Sequence, residues 1–150
     1  MIKITNQYFW HLFFLLFFVV LIVMGVIILD TESRIPLSEL GLFDMAVITL
    51  ASWRLVRFVA YDNITKFFRE QFYDLKKTGR SFSLTKPQTG PRRTIIDLIV
   101  SPWNLGLWMT ASVTFFYLIT PYALYPLLFL TLSALVALLQ LVSDAIGGRE

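Results

Sequence analysis

The sequence predicts an all-α integral membrane protein with four transmembrane helices, one amphipathic interfacial helix and both termini in the cytoplasm. Hydrophobic residues make up 57% of the 150-residue chain and aromatic residues 16%, which is more apolar surface than a soluble domain of this size can cover. Apolar runs of about 20 residues, long enough to cross a bilayer, recur along the chain. Ten of the 13 Lys and Arg residues fall between Arg54 and Arg93, and cytoplasmic loops of membrane proteins collect such residues.

The first two spans are predicted at residues 8–29 and 37–60. The first run is interrupted only by His11 and is longer than the apolar region of a secretory signal, so we expect an uncleaved helix. Pro36 separates it from the second span, whose most apolar part, 42–56, is short. Arg54 and Arg57 are therefore expected to lie at the cytoplasmic interface or to snorkel to it. The acidic stretch at 30–44 then faces outward.

An amphipathic helix is predicted at residues 63–75. Apolar residues recur there at helical spacing, and charged residues occupy much of the remaining surface. Such a helix suits the membrane interface, with its phenylalanines among acyl chains, although packing against the protein's own helices is the alternative. Residues 76–93 follow as a polar, basic cytoplasmic loop.

The last two spans are predicted at residues 95–120, broken near 101–104, and 122–146. Ser101 as N-cap and Pro102 at the first helical position are expected to restart the third helix after the break. Pro121 ends that span, and Gly147 and Gly148 end the fourth. The whole chain, residues 1–150, is predicted to form a single membrane domain.

A polar constellation at the end of the second span is the first candidate site. Positions 54, 57 and 61 share one helical face, and two guanidinium groups at the lipid boundary can bind a phosphate. Arginines at this position are equally expected as plain topology signals. Likewise, the i, i+4 pair of Lys66 and Glu70 is equally expected to belong to a solvated face. The candidate lipid- or partner-binding residues are Arg54, Arg57, Tyr61, Asp62, Arg69 and Glu70.

The helix break is the second candidate site. Broken helices in transporters expose helix ends that bind ions or substrates, whereas an interfacial cap is the simpler alternative. The residues of this break and its anchor are Ser101, Pro102, Trp103, Asn104, Gly106 and Trp108. No catalytic residue set, metal-ligand cluster or phosphate-binding loop is found in the sequence, which predicts no enzyme activity, no metal and no cofactor.

Two segments resemble a family of small bacterial integral membrane proteins of unknown function, some of which are described as sporulation proteins of bacilli. Residues 50–62 read LASWRLVRFVAYD and continue to Ile64-Thr65 and Arg69-Glu70, and residues 101–108 read SPWNLGLW. The family pattern is R-L-x-R, Y-D-x-I-T, R-E-x-F and then C-P-W-C-x-G-x-W, over about residues 42–142. Ser101 and Asn104 stand where that pattern has cysteines, so the resemblance implies no redox or metal role here. Apart from these two positions, the resemblance includes the residues of both candidate sites. It implies the fold rather than an activity.

The expected function is that of a non-enzymatic subunit or scaffold in the bacterial cytoplasmic (inner) membrane. Its expected partners are anionic phospholipid and other membrane proteins or further copies of itself, and no nucleic acid. Arg54, Arg57 and Arg69 would hold anionic groups. Asp62 and Glu70 would orient these arginines. The alternative is a small oligomeric channel or transporter whose pathway is lined by the broken third helix. A lipid-modifying enzyme is a third hypothesis, for which the sequence offers no nucleophile or metal site.

Overall fold

A computed structural model describes residues 2–32, 35–78 and 81–147, and these are mostly helical. The α-helices and strands are α1 (Ile2–Glu32), α2 (Leu42–Ala60), α3 (Lys66–Glu70), β1 (Asp74–Thr78), β2 (Ser81–Thr85), α4 (Pro91–Val100), α5 (Pro102–Ile119) and α6 (Leu124–Ile146). Short 3-10 helices at Leu37–Glu39, Asn63–Thr65 and Pro121–Ala123 join some of them.

Two helices of the described chain are long and apolar enough to cross a membrane. They are the Asn6–Glu32 part of α1 and the segment Pro121–Ile146, which contains α6. The predicted four transmembrane helices are therefore not supported by length and composition. The reason lies in the two other helices: α2 carries Asp44, Arg54 and Arg57 within 19 residues, and the 18 residues of α5 include several polar side chains.

The predicted interfacial helix at 63–75 is also wrong in extent. A 3-10 turn and the five-residue α3 end at Glu70, and β1 begins at Asp74. An isolated helix of five residues is only marginally stable. The residues from Asp74 onward pair with β2, so their backbone groups form hydrogen bonds in a strand and not in a helix. Arg92 contacts this segment at the surface: its Nη1 donates to Asp74 Oδ1 at 3.2 Å and its Nη2 to the Gln71 carbonyl at 2.9 Å.

The predicted basic loop at 76–93 is largely structured. β1 and β2 pair antiparallel, with Leu75 opposite Leu84, and α4 begins at Pro91. The two strands are separated by residues 79 and 80, which lie outside the described residues. The two paired strands are called the β-hairpin below, and they replace the open loop that the sequence predicts.

The chain divides into two compact units. The first comprises Met1–Met24 and Val56–Trp108, and the second comprises Gly25–Leu55 and Met109–Glu150. In the first unit, α4 buries Thr94, Ile96 and Ile99. In the second unit, eight buried residues form the core: Val47, Ile48, Ala51, Val113, Tyr117, Leu118, Ala123 and Leu127.

Candidate functional site

The end of α2 is closed by the turn that follows it. The last carbonyl groups of a helix lack partners within the helix. Here the backbone N–H of Tyr61 donates to the Arg57 carbonyl at 2.9 Å, and the Thr65 hydroxyl lies 2.7 Å from the Phe58 carbonyl. The same hydroxyl lies 3.0 Å from the Asp62 carbonyl. Thr65 therefore ties the 3-10 turn to the end of α2.

Arg69 completes this closure. Its Nη1 donates to the Val59 carbonyl at 2.7 Å and to the Thr65 hydroxyl at 3.3 Å. A cation at a helix C-terminus also interacts favourably with the helix dipole. Part of the Arg69 guanidinium thus binds backbone, and the predicted contact of this residue with an anionic group stays a prediction.

Arg57 and Tyr61 lie together, as their helical spacing predicts. The Arg57 guanidinium carbon is 5.9 Å from the centre of the exposed Tyr61 ring, within the range of a cation–π contact. Glu70 lies 3.7 Å from Lys66 Nζ, and both side chains are well exposed. This is the solvated i, i+4 pair that the sequence offers as an alternative, and it contributes only a few tenths of a kcal/mol.

Arg54 belongs to the second unit and has different surroundings. Its Nε donates to the Ser133 hydroxyl on α6 at 3.0 Å, and the residue is half-buried. The structure therefore brings together Arg57 and Tyr61, and separately Thr65 and Arg69, but gives Arg54 a contact of its own. Sequence reasoning missed Ser133, because nothing in the local sequence marks one serine of α6 as the partner of an arginine 79 positions earlier.

The helix break lies at Ser101, between the end of α4 and the start of α5. Ser101 has extended backbone (φ −90°, ψ 108°), and its hydroxyl accepts from the Asn104 backbone N–H at 3.5 Å. Its carbonyl accepts from the Leu105 backbone N–H at 2.9 Å. Pro102 takes the first helical position, where no N–H donor is needed. The geometry is that of the capped restart that Ser101 and Pro102 predict.

The other residues of the break differ in exposure. Trp103 is 87% exposed, whereas the Trp108 ring packs against Phe18, with 4.7 Å between the ring centres. Gly106 has open space, since a Cβ built on it would meet no atom within 4 Å. Trp103 thus lies on the surface, whereas Trp108 packs inside the first unit.

A cleft of about 250 Å³ lies in the first unit between α1, α4 and α5. Its polar lining comes from His11, Thr94, Asp97 and Asn104, and the rest is apolar, including Trp108. Asp97 forms ion pairs with Lys86 and, at 3.7 Å, with Arg93.

Gln7 links α1 to α4 beside this cleft. Its Nε2 donates to the Thr94 hydroxyl at 3.0 Å, and its Oε1 accepts from the Gly90 backbone N–H at 3.1 Å. Gly90 has φ +106°, a conformation that favours glycine. These contacts join residues more than 80 positions apart, so no sequence pattern pointed to them. Within 2–32, 35–78 and 81–147, no three His, Asp or Glu side chains converge as metal ligands.

Comparison with known proteins gives a family match and a bacterial relative. Residues 47–143 match the family described as "Protein of unknown function (DUF1360)". The chain is 23% identical over 111 residues to the UPF0713 protein YngL of Bacillus subtilis (strain 168), an alignment that covers 74% of this chain and 84% of that protein. No solved structure matches. The family match begins within α2 and leaves α1 outside, as the resemblance in the sequence predicts.

Proposed function

The chain belongs to the DUF1360 family of proteins of unknown function, and from this premise we propose that it is a non-enzymatic subunit or scaffold of the bacterial cytoplasmic (inner) membrane. In this role it assembles with other membrane proteins or with further copies of itself. The observation that carries the proposal is the surface of α1. Only 6% of the most apolar stretch of that helix is buried within the chain.

Apart from one half-buried face that includes Phe14 and Phe18, the surface of α1 consists mostly of large, exposed apolar side chains. Phe9, Leu15 and Ile27 are examples that are each more than half exposed. A helix that is apolar all round is covered either by lipid or by other helices. Since this chain covers so little of α1, lipid and partner helices are what remains to cover it, and this supports both membrane insertion and assembly.

We extend the proposal to the full topology of four spans with both termini inside. α2 packs on α6 through the second unit's core, so an α6 that crosses the bilayer carries α2 with it. The charge of Asp44 at the start of α2 is accommodated, because its carboxylate accepts from the Tyr117 hydroxyl and, at 2.8 Å, from the Gly41 backbone N–H. The acidic 30–44 segment then faces outward and the basic hairpin lies in the cytoplasm.

The assembly surface that we propose lies at the end of α2 and on α3. Arg57 supplies a guanidinium beside exposed Tyr61, and Phe67 and Phe68 are exposed on α3. Aromatic side chains next to cations suit the headgroup level of a bilayer, where anionic phospholipid and partner proteins are both within reach. Asp62 is the N-cap residue of the 3-10 turn Asn63–Thr65, and in this proposal its carboxylate orients an arginine when an anionic group binds.

Arg57→Ala is expected to weaken assembly or lipid retention without unfolding the protein. Each juxtamembrane cation contributes about 1 kcal/mol toward an anionic surface, so we expect roughly a fivefold loss of bound partner or phosphatidylglycerol. The measurement is native mass spectrometry of the tagged protein after mild-detergent extraction from its own membrane.

Arg92→Ala is the matched control for this measurement. It removes the same charge from a surface ion pair with Asp74, so complex and lipid are expected to be retained. A wild-type protein that runs as a bare monomer contradicts the proposed function. Unchanged complex mass and bound lipid in Arg57→Ala contradict the role of Arg57.

The competing function is a small oligomeric channel or transporter, and the cleft beside the helix break is the observation in its favour. Asn104 and Asp97 supply polar groups there, next to the capped start of α5. This function requires ion or solute flux across liposomes that contain only this protein. A correctly inserted protein without flux would leave the subunit role as the function.

A further inference from the structure

Arg54 is held against the middle of the most apolar helix of the second unit. Its Nε donates to Ser133, and the candidate span Pro121–Ile146 extends about equally far on either side of that serine. An arginine inside a membrane span is rare and is associated with function. The inference that follows rests on the proposed membrane placement of α6.

Close packing between α2 and α6 fixes the position of Arg54. Ala51 and Ala134 are fully buried, and the Thr131 hydroxyl donates to the Val47 carbonyl of the neighbouring helix at 3.2 Å. Small residues and hydrogen bonds between helices are typical of helix pairs in membranes. Because α2 cannot slide along α6 without losing these contacts, the Arg54 guanidinium stays at the level of Ser133.

Helix geometry places that level near the centre of a bilayer. Arg54 follows Asp44 by ten residues, which is about 15 Å along α2, and Ser133 follows Leu124 by nine residues, about 14 Å along α6. The hydrocarbon core is about 30 Å thick. Helical side chains also lean toward the helix N-terminus, so the Arg54 side chain leans away from the basic, C-terminal end of α2. A snorkelling arginine would instead extend toward that end, which lies at the proposed cytoplasmic interface.

Ser133 alone does not satisfy this guanidinium. A guanidinium has five N–H donors and a full positive charge, whereas a hydroxyl is one neutral acceptor. Within the part of the chain that the structure describes, Ser133 is the only side chain hydrogen-bonded to Arg54. Arg54 is only partly buried, so a group from outside the chain can approach its side chain. An anionic group at that depth is the complement that they require.

We propose that Arg54 docks a carboxylate, carried by an Asp or Glu within a transmembrane helix of a different membrane protein. The charge identifies the chemistry of the partner, and the depth fixes where in the partner's helix the acid lies. Ser133 is a positioning residue in this contact, because it orients the guanidinium through Nε and leaves the two Nη groups to form a bidentate pair.

A second copy of this chain does not supply the acid. The acids nearest to the Arg54 level along α2 and α6 are Asp62, Asp44 and Asp144, displaced by at least about 12 Å along the helix axes. The helix α5 carries no acid, and Asp97 on α4 already pairs with Lys86 and Arg93. Along α2, α5 and α6, copies inserted in the same direction thus present no carboxylate at the required depth.

The test uses model transmembrane peptides in phosphatidylcholine–phosphatidylglycerol vesicles. Three leucine-rich peptides carry an Asp at the midpoint, an Asn at the midpoint, or an Asp displaced by six residues toward one end. The full-length protein is labelled at Ser83→Cys, which is unique because the chain has no cysteine. Association is measured by energy transfer for wild type, Arg54→Met, Arg54→Lys and Arg92→Met, with circular dichroism as the check of folding.

We expect the wild type to bind the midpoint-Asp peptide at least tenfold more tightly than either other peptide. Arg54→Met is expected to lose that preference, whereas Arg54→Lys keeps part of it and Arg92→Met keeps all of it. Equal binding of the Asp and Asn peptides would overturn the inference. So would a preference that survives Arg54→Met, or an Arg54→Met protein whose only defect is loss of bound phosphatidylglycerol.

Failure of this inference and failure of the proposed function give different results. If the native complex is intact but equally populated in wild type and Arg54→Met, Arg54 is not the docking residue and the subunit role stands. If the wild type is monomeric in its own membrane yet prefers the midpoint-Asp peptide, the subunit role fails and the acid-binding property of Arg54 stands.

Discussion

At the scale of single residues, the polar side chains near the end of α2 have two roles: some bind the backbone, and others are accessible to other molecules. Thr65 and Arg69 bind backbone carbonyls, whereas the half-buried Arg57 lies against the exposed Tyr61 ring. The sequence identified Arg69 as a residue of interest but predicted contact with an anion. That contact stays a prediction, and the hydrogen bond of Arg69 to a backbone carbonyl ten residues earlier is one that no side-chain pattern records.

We expect Arg69→Ala to destabilise the protein by about 1.5–3 kcal/mol, the range for a hydrogen bond from a charged donor. The end of α2 should lose protection, since the Val59 carbonyl then lacks this partner. Hydrogen exchange measured by mass spectrometry over residues 56–65, together with thermal unfolding in detergent, checks the prediction. Lys66→Ala, in the exposed pair with Glu70, is the control and should change stability by less than about 0.5 kcal/mol.

At the scale of elements, the α2–α6 contact depends on small side chains. Ala134 is fully buried, so Ala134→Leu must force the helices apart, at a cost of about 1–3 kcal/mol. Ala145→Leu is the matched control, because the exposed Ala145 lies on the same helix and tolerates the added volume. The free energy of unfolding in mixed micelles compares the two variants. Equal stability would contradict the packing described for the second unit.

The sequence predicted the long helices better than the short segments between them. Periodicity and apolar length identified α1, α2 and α6, and Ser101-Pro102 identified the junction of α4 and α5. The β-hairpin was missed because the phenylalanines before it repeat at helical spacing, while the contacts of Arg92 with Asp74 and Gln71 come from a distant segment. Likewise, Gln7 and Ser133 act through partners on other helices, and a single sequence holds no signal for such pairs.

At the scale of the whole molecule, the account depends on how many helices cross the bilayer. Within the part of the chain that the structure describes, length and composition support α1 and α6 as spans, whereas our proposal of four spans rests on the charge distribution and on the packing of α2 on α6. The two arrangements place the hairpin differently. With four spans it lies in the cytoplasm, and with two it lies outside, on the same side as the acidic 30–44 segment.

Labelling of single cysteines in intact spheroplasts tests this claim most directly. The chain has no cysteine, so Ser38→Cys in the acidic segment and Ser83→Cys in the hairpin each give one reactive thiol. Our account predicts that a membrane-impermeant maleimide labels Ser38→Cys in intact spheroplasts and labels Ser83→Cys only after permeabilisation. Labelling of both positions from outside would contradict the four-span arrangement, and with it the position of Arg54 at the centre of the bilayer.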